Sequence, residues 1–207
     1  MIATPSIASL SRPTYSVPDV NRLKKSFPGR PWQSYEEGRK HLQRPEKAKE
    51  DFHKAMGLAI KISKKDASSF ANFMGVDLGE GRHHREALSF FEKALELDPK
   101  YAPVWNNKGL ALNNLGRYKE AIEKYQEALR LDRNSPVYHI NLAVLLSVTN
   151  RHDEAEREFR EALRLFKEKE PKRLEEALGY LEKELDTHHD SHSLWRAKAE
   201  FLTALGR

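Results

Sequence analysis

Small and large apolar residues recur along the chain at a fixed distance, and charged residues separate them. Seven columns of such residues repeat every 34 positions over three consecutive units. The columns begin at Gly75, Leu78, Ala87, Phe91, Ala94, Leu95 and Leu97, and each continues 34 and 68 residues later. A period of this length predicts a stack of helix pairs, because each repeat is one supersecondary unit that buries its apolar face on its neighbours.

The type of residue in each column predicts how the helices pack. Small residues such as Gly75 and Ala87 leave room for two helix axes to approach to about 8 to 10 Å. An aromatic residue such as Phe91 then fills the space beside them. Gly116 and Asn150 share one repeat position, and both residue types tolerate the left-handed backbone that ends a helix. Each unit is therefore predicted to hold a first helix, a tight turn and a second helix.

The N-terminal segment lacks this pattern. Residues 1–33 contain five prolines among serines and threonines. Proline lacks an amide donor and biases the preceding residue towards extended backbone, so a flexible arm is predicted. Five basic residues against one acidic residue make the arm basic. An organelle transit peptide remains an alternative, although the prolines disfavour the amphipathic helix that such peptides form.

Weaker versions of the pattern flank the three units. A degenerate repeat is predicted over 34–67, supported by Trp32, Ala48, Phe52 and Ala55. Residues 57–69 fit either an extended helix or an irregular loop. Residues 170–207 predict a capping helix pair or a partial repeat, because Pro171 opens a leucine-rich helix and Trp195 resembles the start of another first helix.

Residues 68–101, 102–135 and 136–169 resemble tetratricopeptide repeats. The family pattern is W-x2-L-G-x2-Y, then A-x3-F, then P. The middle unit matches it at Trp105, Gly109, Ala121, Tyr125 and Ala128. The resemblance implies an all-α fold, a right-handed superhelical solenoid of antiparallel helix pairs. It also implies a protein-binding scaffold.

Composition and charge narrow the function. Charged residues make up 32% of the chain and interrupt every apolar run, so no stretch approaches the roughly 20 apolar residues that span a bilayer. The net charge of +5 is concentrated before residue 67, and the repeats are nearly neutral. We therefore expect neither membrane nor nucleic acid as a partner. With no apolar signal segment, the cytoplasm is the expected location.

The sequence offers little for catalysis. The chain has no cysteine, which excludes a thiolate nucleophile and a thiolate zinc site. His188, His189 and His192 with Asp190 could collect a metal ion, but histidines in an interhelical turn are more often only exposed side chains. We therefore predict no enzyme activity, no metal site and no cofactor.

In the family, the first helices line a concave groove, and this implies a peptide-binding site here. Carboxamides can bond an extended peptide backbone, and aliphatic side chains can receive its apolar residues. The predicted ligand is a short, largely uncharged or apolar segment of another protein. The predicted groove residues are Asn72, Phe73, Val76, Asn106, Asn107, Leu110, Asn113, Val137, Ile140, Asn141, Val144 and Val148.

The predicted groove bears on which partners the chain binds. One class of the family holds acidic chaperone tails with a clamp of Lys, Asn, Asn, Lys and Arg. The corresponding positions here are Asn72, Val76, Asn107, Val137 and Asn141, so the basic members are missing and this partner is not expected. Self-assembly through the array ends or the convex face, or service as an accessory subunit of an enzyme encoded elsewhere, remain alternatives. The arm or the leucine-rich helix from residue 171 could also lie in the groove.

Overall fold

The alternation of apolar stripes and turn residues produces helices throughout the residues that the computed structural model describes, 18–207. These residues contain eleven α-helices and one short 3-10 helix, and no strand. They divide into two compact units, residues 16–115 and residues 116–207. The predicted all-α class, built from antiparallel helix pairs, is confirmed.

The unit of residues 16–115 contains six helices. Their bounds are α1 Val20–Ser26, α2 Arg30–Lys40, α3 Pro45–Ile62, α4 Lys64–Glu80, α5 His84–Leu97 and α6 Ala102–Asn114. The helices α2 and α3 pack together, as do α4 and α5.

The unit of residues 116–207 contains five helices and the 3-10 turn. Their bounds are α7 Tyr118–Leu131, α8 Pro136–Val148, α9 His152–Lys169, the 3-10 helix Pro171–Arg173, α10 Leu174–Thr187 and α11 His192–Ala204. The pair α8 and α9 is packed most extensively, and α11 packs against α9.

The prediction of a flexible arm is wrong for about the second half of residues 1–33. Residues 1–17 lie outside the described part of the chain, but α1 and the start of α2 fall within 18–33. Asp19 caps α1 by accepting a hydrogen bond from the Arg22 amide at 3.0 Å. Phe27 is buried against Phe70, with ring centroids 5.1 Å apart. Pro31 sits in the first turn of α2, where a missing amide costs no hydrogen bond, so proline starts this helix rather than preventing it.

The segment from residue 57 to residue 69, which fitted a helix or a loop equally well, is helical. The helix α3 continues to Ile62 and α4 begins at Lys64, so only Ser63 separates them. Ser63 has extended backbone at φ −150° and ψ 99°, and its hydroxyl accepts from the Asp66 amide at 3.2 Å. This side-chain cap starts α4 directly after α3 ends.

Two glycines of first helices, Gly75 and Gly38, lie directly under aromatic rings. A Cβ atom added to Gly75 would stand 2.5 Å from Cε1 of Phe91, a ring that is fully buried. Gly38 and Phe52 form the same contact between α2 and α3. In both pairs the ring packs on the backbone of the neighbouring helix, so the helices come closer than any side chain would allow.

The predicted left-handed residues are confirmed. Gly116 has φ 73° and Asn150 has φ 60°. Arg82 occupies the same repeat position in the preceding unit and has φ 66°. This third member was not anticipated, because arginine has no special preference for the left-handed region.

Two features of first helices recur in α11. Three side chains donate a hydrogen bond to the carbonyl six residues before them: Trp105 to Pro99 at 2.9 Å, His139 to Arg133 at 3.0 Å, and Trp195 to His189 at 2.7 Å. Eleven residues after each of them is a positive-φ residue, which for Trp195 is Gly206. Trp195 follows His139 by 56 positions, which is one 34-residue period plus 22. The extra residues hold α10.

We expect Gly75→Ala to destabilise the protein by about 1 to 3 kcal/mol, because the new methyl group overlaps the buried Phe91 ring. Gly57→Ala, within α3, is the matched control, since nothing lies within 4 Å of its Cβ position. It should stabilise by about 0.5 to 1 kcal/mol through helix propensity. Urea unfolding measures both values, and a Gly75→Ala protein as stable as the Gly57→Ala protein would contradict this packing.

Candidate functional site

Seven of the predicted groove residues lie on α4 and α6, in the unit of residues 16–115. Five of them have at most 2% exposed surface, and only two retain a partly exposed side chain. The buried residues are Asn72, Val76, Asn106, Asn107 and Leu110, and the partly exposed ones are Phe73 and Asn113. A ligand that approaches these helices as they stand in the structure reaches only the last two directly.

The buried carboxamides bond to each other. Asn107 Nδ2 donates to Asn72 Oδ1 at 2.9 Å, and this bond joins α6 to α4. Asn106 Nδ2 lies 3.4 Å from Asn107 Oδ1, on the same helix. Buried polar groups need such partners, because an unsatisfied one carries the full cost of desolvation. In this structure the asparagines therefore hold first helices together.

Trp32 and Phe73 form a partly exposed pair of aromatic rings, which we call the aromatic patch. Their ring centroids are 5.0 Å apart. Trp32 stands on α2 and also makes an edge-to-face contact with the buried Phe70, at 5.2 Å. In the sequence, Trp32 served only as support for the degenerate repeat predicted over 34–67. It brings a second ring to the predicted groove residue Phe73.

A polar cluster accompanies the patch on the same two helices. Arg39 Nε lies 2.9 Å from Asp77 Oδ2, and the Tyr35 hydroxyl donates to the same carboxylate oxygen. Burial raises the pKa of Tyr35 well above its ordinary value, and the charge of Asp77 raises it further. Tyr35 is therefore a neutral donor that fixes Asp77, while Arg39 remains half-exposed. Sequence reasoning missed this cluster, because its members belong to different repeats.

The other five predicted groove residues lie on α8, in the unit of residues 116–207. Ile140, Asn141 and Val144 are each 3% exposed, whereas Val137 and Val148 are partly exposed. Every residue from Tyr138 to Ser147 is buried, and α8 packs against α7, α9, α10 and α11. The middle of α8 is therefore part of a core, and only Val137 and Val148 near its ends retain accessible surface.

The leucine-rich helix α10 is one of the elements that cover α8. Its Tyr180 is buried, and burial raises the pKa of that hydroxyl well above its ordinary value. The nearby charge of Glu184 raises it further. In the structure this helix packs mainly against α11 and makes smaller contacts with α8 and α9.

His139, which takes the place of the family's tryptophan, forms a buried ion pair. Its Nδ1 lies 2.6 Å from Glu158 Oε2, and its Nε2 lies 3.0 Å from the Arg133 carbonyl. Both partners only accept hydrogen bonds, so both ring nitrogens must carry protons. Burial of the ring lowers its pKa, but the bonds to Glu158 and Arg133 and the charges of Glu158 and Glu161 outweigh this, and the net pKa is raised.

Three hydroxyl groups meet where α8 approaches α11. Ser147 Oγ lies 2.6 Å from Oγ of both Ser191 and Ser193. His152 Nδ1 is 3.2 Å from Ser193 Oγ, which resembles the base and nucleophile of a hydrolase. Ser193 is however only 1% exposed, and its hydroxyl already bonds Ser147, so no substrate reaches it. The cluster joins helices.

Residues 18–207 contain no group of three or more histidine, aspartate or glutamate side chains placed to hold a metal ion. His188, His189 and His192 thus form no such group with Asp190 in the structure. None of the helices in this part of the chain combines the length and the apolar character that a membrane crossing requires.

Family models of the tetratricopeptide repeat match three segments of the chain, at residues 80–101, 102–135 and 140–169. These segments contain the Ala87, Ala121 and Ala155 column and the turn residues Gly116 and Asn150. With the paired helices described above, they show that the chain is a tetratricopeptide-repeat protein. Such repeats mediate protein–protein interactions, and the family is generally non-catalytic.

Individual relatives agree with this fold. Over 43 residues, 21% of this chain, it is 49% identical to "Uncharacterized protein MJ0572" of Methanocaldococcus jannaschii, and it spans half the length of that protein. Among solved structures, MamA is 17% identical, with a TM-score of 0.52 over 72% of this chain and 85% of the other. MamA from residue 41 of Desulfovibrio magneticus RS-1 is 14% identical, with a TM-score of 0.54 over 86% and 96%.

A chain from the CopN–Scc3 complex is 20% identical, with a TM-score of 0.51 over 61% of this chain and 71% of that one. At these identities the solved structures support the helical-repeat fold and carry no further information about the ligand.

We expect Asn107→Ala to lower stability by about 1 to 3 kcal/mol, because it leaves the buried Asn72 carboxamide without the 2.9 Å hydrogen bond. Asn114→Ala is the control on the same helix, since Asn114 is exposed. Urea unfolding measures both variants. Equal stability of wild type and Asn107→Ala would mean that the carboxamide is available to a ligand instead.

We also expect the His139–Glu158 pair to make stability depend on pH. Because the pKa of His139 is raised on folding, its contribution is complete below the ordinary value of 6.5 and is lost as the pH rises through the folded pKa. The unfolding free energy should therefore fall with rising pH in that window. His139→Gln should flatten this dependence, whereas His189→Gln, which alters an exposed turn residue, should preserve it. A wild-type profile as flat as that of His139→Gln would contradict the charged pair.

Proposed function

We propose that the chain is a non-catalytic scaffold that binds a short, largely uncharged or apolar segment of another protein on its first-helix faces. Support comes from the family, whose repeats mediate protein–protein interactions, and from the uncharged character of those faces. The twelve predicted groove side chains include no acid and no base. A charged ligand would leave its ionic groups without partners there, at a cost in desolvation.

The observation that carries the proposal is the set of groove side chains that keep accessible surface. These are Phe73 and Asn113 in one unit, and Val137 and Val148 in the other. Aromatic side chains supply much contact area with few rotatable bonds, which makes Phe73 with its neighbour Trp32 the natural anchor for an apolar residue. The adjacent Arg39 and Asp77 offer a donor and an acceptor for polar groups of the same segment.

The buried asparagines have a supporting role in this proposal. Asn72 and Asn107 keep α4 and α6 at a fixed distance through their mutual bond. A binding surface that is held rigid before the ligand arrives loses less entropy on binding. We therefore place the contacts to the ligand on the exposed residues and the positioning of α4 and α6 on the buried carboxamides.

The test is selection of short peptides from a random display library on the wild-type protein, followed by affinity measurements with two variants. Phe73→Glu places a charge in the aromatic patch, and Ser89→Glu places the same charge on an exposed position of the second helix α5. We expect Phe73→Glu to weaken the selected peptides about ten-fold or more, and Ser89→Glu to change the affinity less than about two-fold. Equal loss with both variants, or loss with Ser89→Glu alone, would overturn the proposal.

Self-assembly is the second candidate, favoured by a groove on the second-helix side. Its volume is about 540 Å³, it lies between α3 and α5, and its floor includes Phe52 and Phe90, whose centroids are 5.3 Å apart. Ser89 lines this groove. Light scattering decides between the candidates: a dimer that Ser89→Glu dissociates would favour self-assembly, and a monomer at all concentrations would exclude it.

A further inference from the structure

We propose that the face of α8 beneath α10 is a binding site for an amphipathic helix, and that α10 is its built-in occupant. A partner helix with the same apolar pattern would bind there by displacing α10. The inference rests on the proposed function, because it names the kind of segment that one first-helix face accepts. It concerns only the unit of residues 116–207.

The helix α10 is an insertion into the repeat pattern. The helix α11 carries the tryptophan bond and the left-handed residue of a first helix, at Trp195 and Gly206. It also packs against the second helix α9, as a following first helix should. The 22 positions beyond one period therefore interrupt two successive repeats. This inserted segment packs mainly against α11 and also contacts α8 and α9.

The helix α10 has the amphipathic pattern of a helix that binds in a groove. Its apolar residues follow the spacing that places them in one stripe, whereas Glu175, Glu182 and Asp186 are exposed. The buried residues are Leu174, Ala177, Leu178, Tyr180, Leu181 and Leu185. The helix packs mainly on α11, and it also contacts the predicted groove helix α8 and the second helix α9. The partner that fits is therefore a helix with leucines at relative positions 1, 5, 8 and 12 and tyrosine at position 7.

The helix α10 also carries residues that weaken its packing against the rest of the unit. Gly179 lies in the middle of the helix, yet nothing within 4 Å of its Cβ position requires a glycine. Such a residue disfavours the helix without improving its packing. The partly buried Glu184 carries a desolvated carboxylate whose pKa is raised by burial. Two ion pairs also join α10 to other residues: Lys198–Glu182, in which the lysine is partly buried, and Arg207–Glu175, which is exposed and of the kind that contributes little.

The binding test uses the whole chain and a labelled peptide of residues 171–190. Leu181→Ala removes a fully buried side chain from the stripe and should release α10. Asp186→Ala changes an exposed residue of the same helix and is the control. By fluorescence anisotropy we expect Leu181→Ala to bind the peptide about ten-fold more tightly than wild type or Asp186→Ala. A peptide that binds Leu181→Ala no better than a scrambled sequence would overturn the proposal.

Hydrogen exchange keeps the proposal testable if Leu181→Ala fails to fold. In wild type we expect the amides of α10 to exchange faster than those of α8 and α9. Gly179→Ala should slow the exchange of α10 by about four- to five-fold, the effect of replacing an exposed helix-interior glycine. Exchange of α10 in step with α8 and α9 would make it an integral core helix and overturn the inference.

The two proposals can fail separately. The peptide-selection experiment measures how binding depends on Phe73, which lies in the other unit. It can succeed even if α10 never leaves its packed position. Conversely, the labelled peptide can bind the opened α8 face even if no library peptide depends on Phe73.

Discussion

The contact between an aromatic ring and a glycine backbone is the constraint on which the helix packing depends. Phe91 lies on Gly75 and Phe52 lies on Gly38, so each ring fixes how closely two helices approach. The 34-residue period follows, because each pair must return the same small and large residues to the same places. The same spacing sets the positions of the first helices, on which the proposed binding surface lies.

The repeat pattern in the sequence identified the core residues, but it did not show which groups the polar and terminal residues contact. Gly75, Ala87 and Phe91 could be assigned to the core, because three copies of each column are apolar or small. Asn107 could not be assigned, because a carboxamide that bonds Asn72 and one that bonds a ligand give the same pattern. Likewise the leucines of α10 fit a capping helix and a docked helix equally, since only the fold shows that α8 lies beneath them. The prolines near residue 30 misled for a related reason: Pro31 begins α2 instead of excluding helix.

The two units use their first helices differently. In residues 16–115, buried asparagines join α4 to α6 and leave the aromatic patch partly exposed. In residues 116–207, α8 is enclosed, and a helix of the same chain lies against it. The predicted groove positions are uncharged in both units. In one unit an aromatic patch remains partly exposed, and in the other α10 contacts α8.

The most direct test of this account is whether α10 rests on α8 in solution. In a methyl-labelled sample, NOEs between the leucine methyl groups of α10 and the valine, leucine and isoleucine methyl groups of α8 report the contact. The account predicts such NOEs in the wild-type protein, alongside those between α8 and α9. Clear NOEs between α8 and α9 with none between α8 and α10 would contradict it, because the face of α8 would then be covered by something other than this helix.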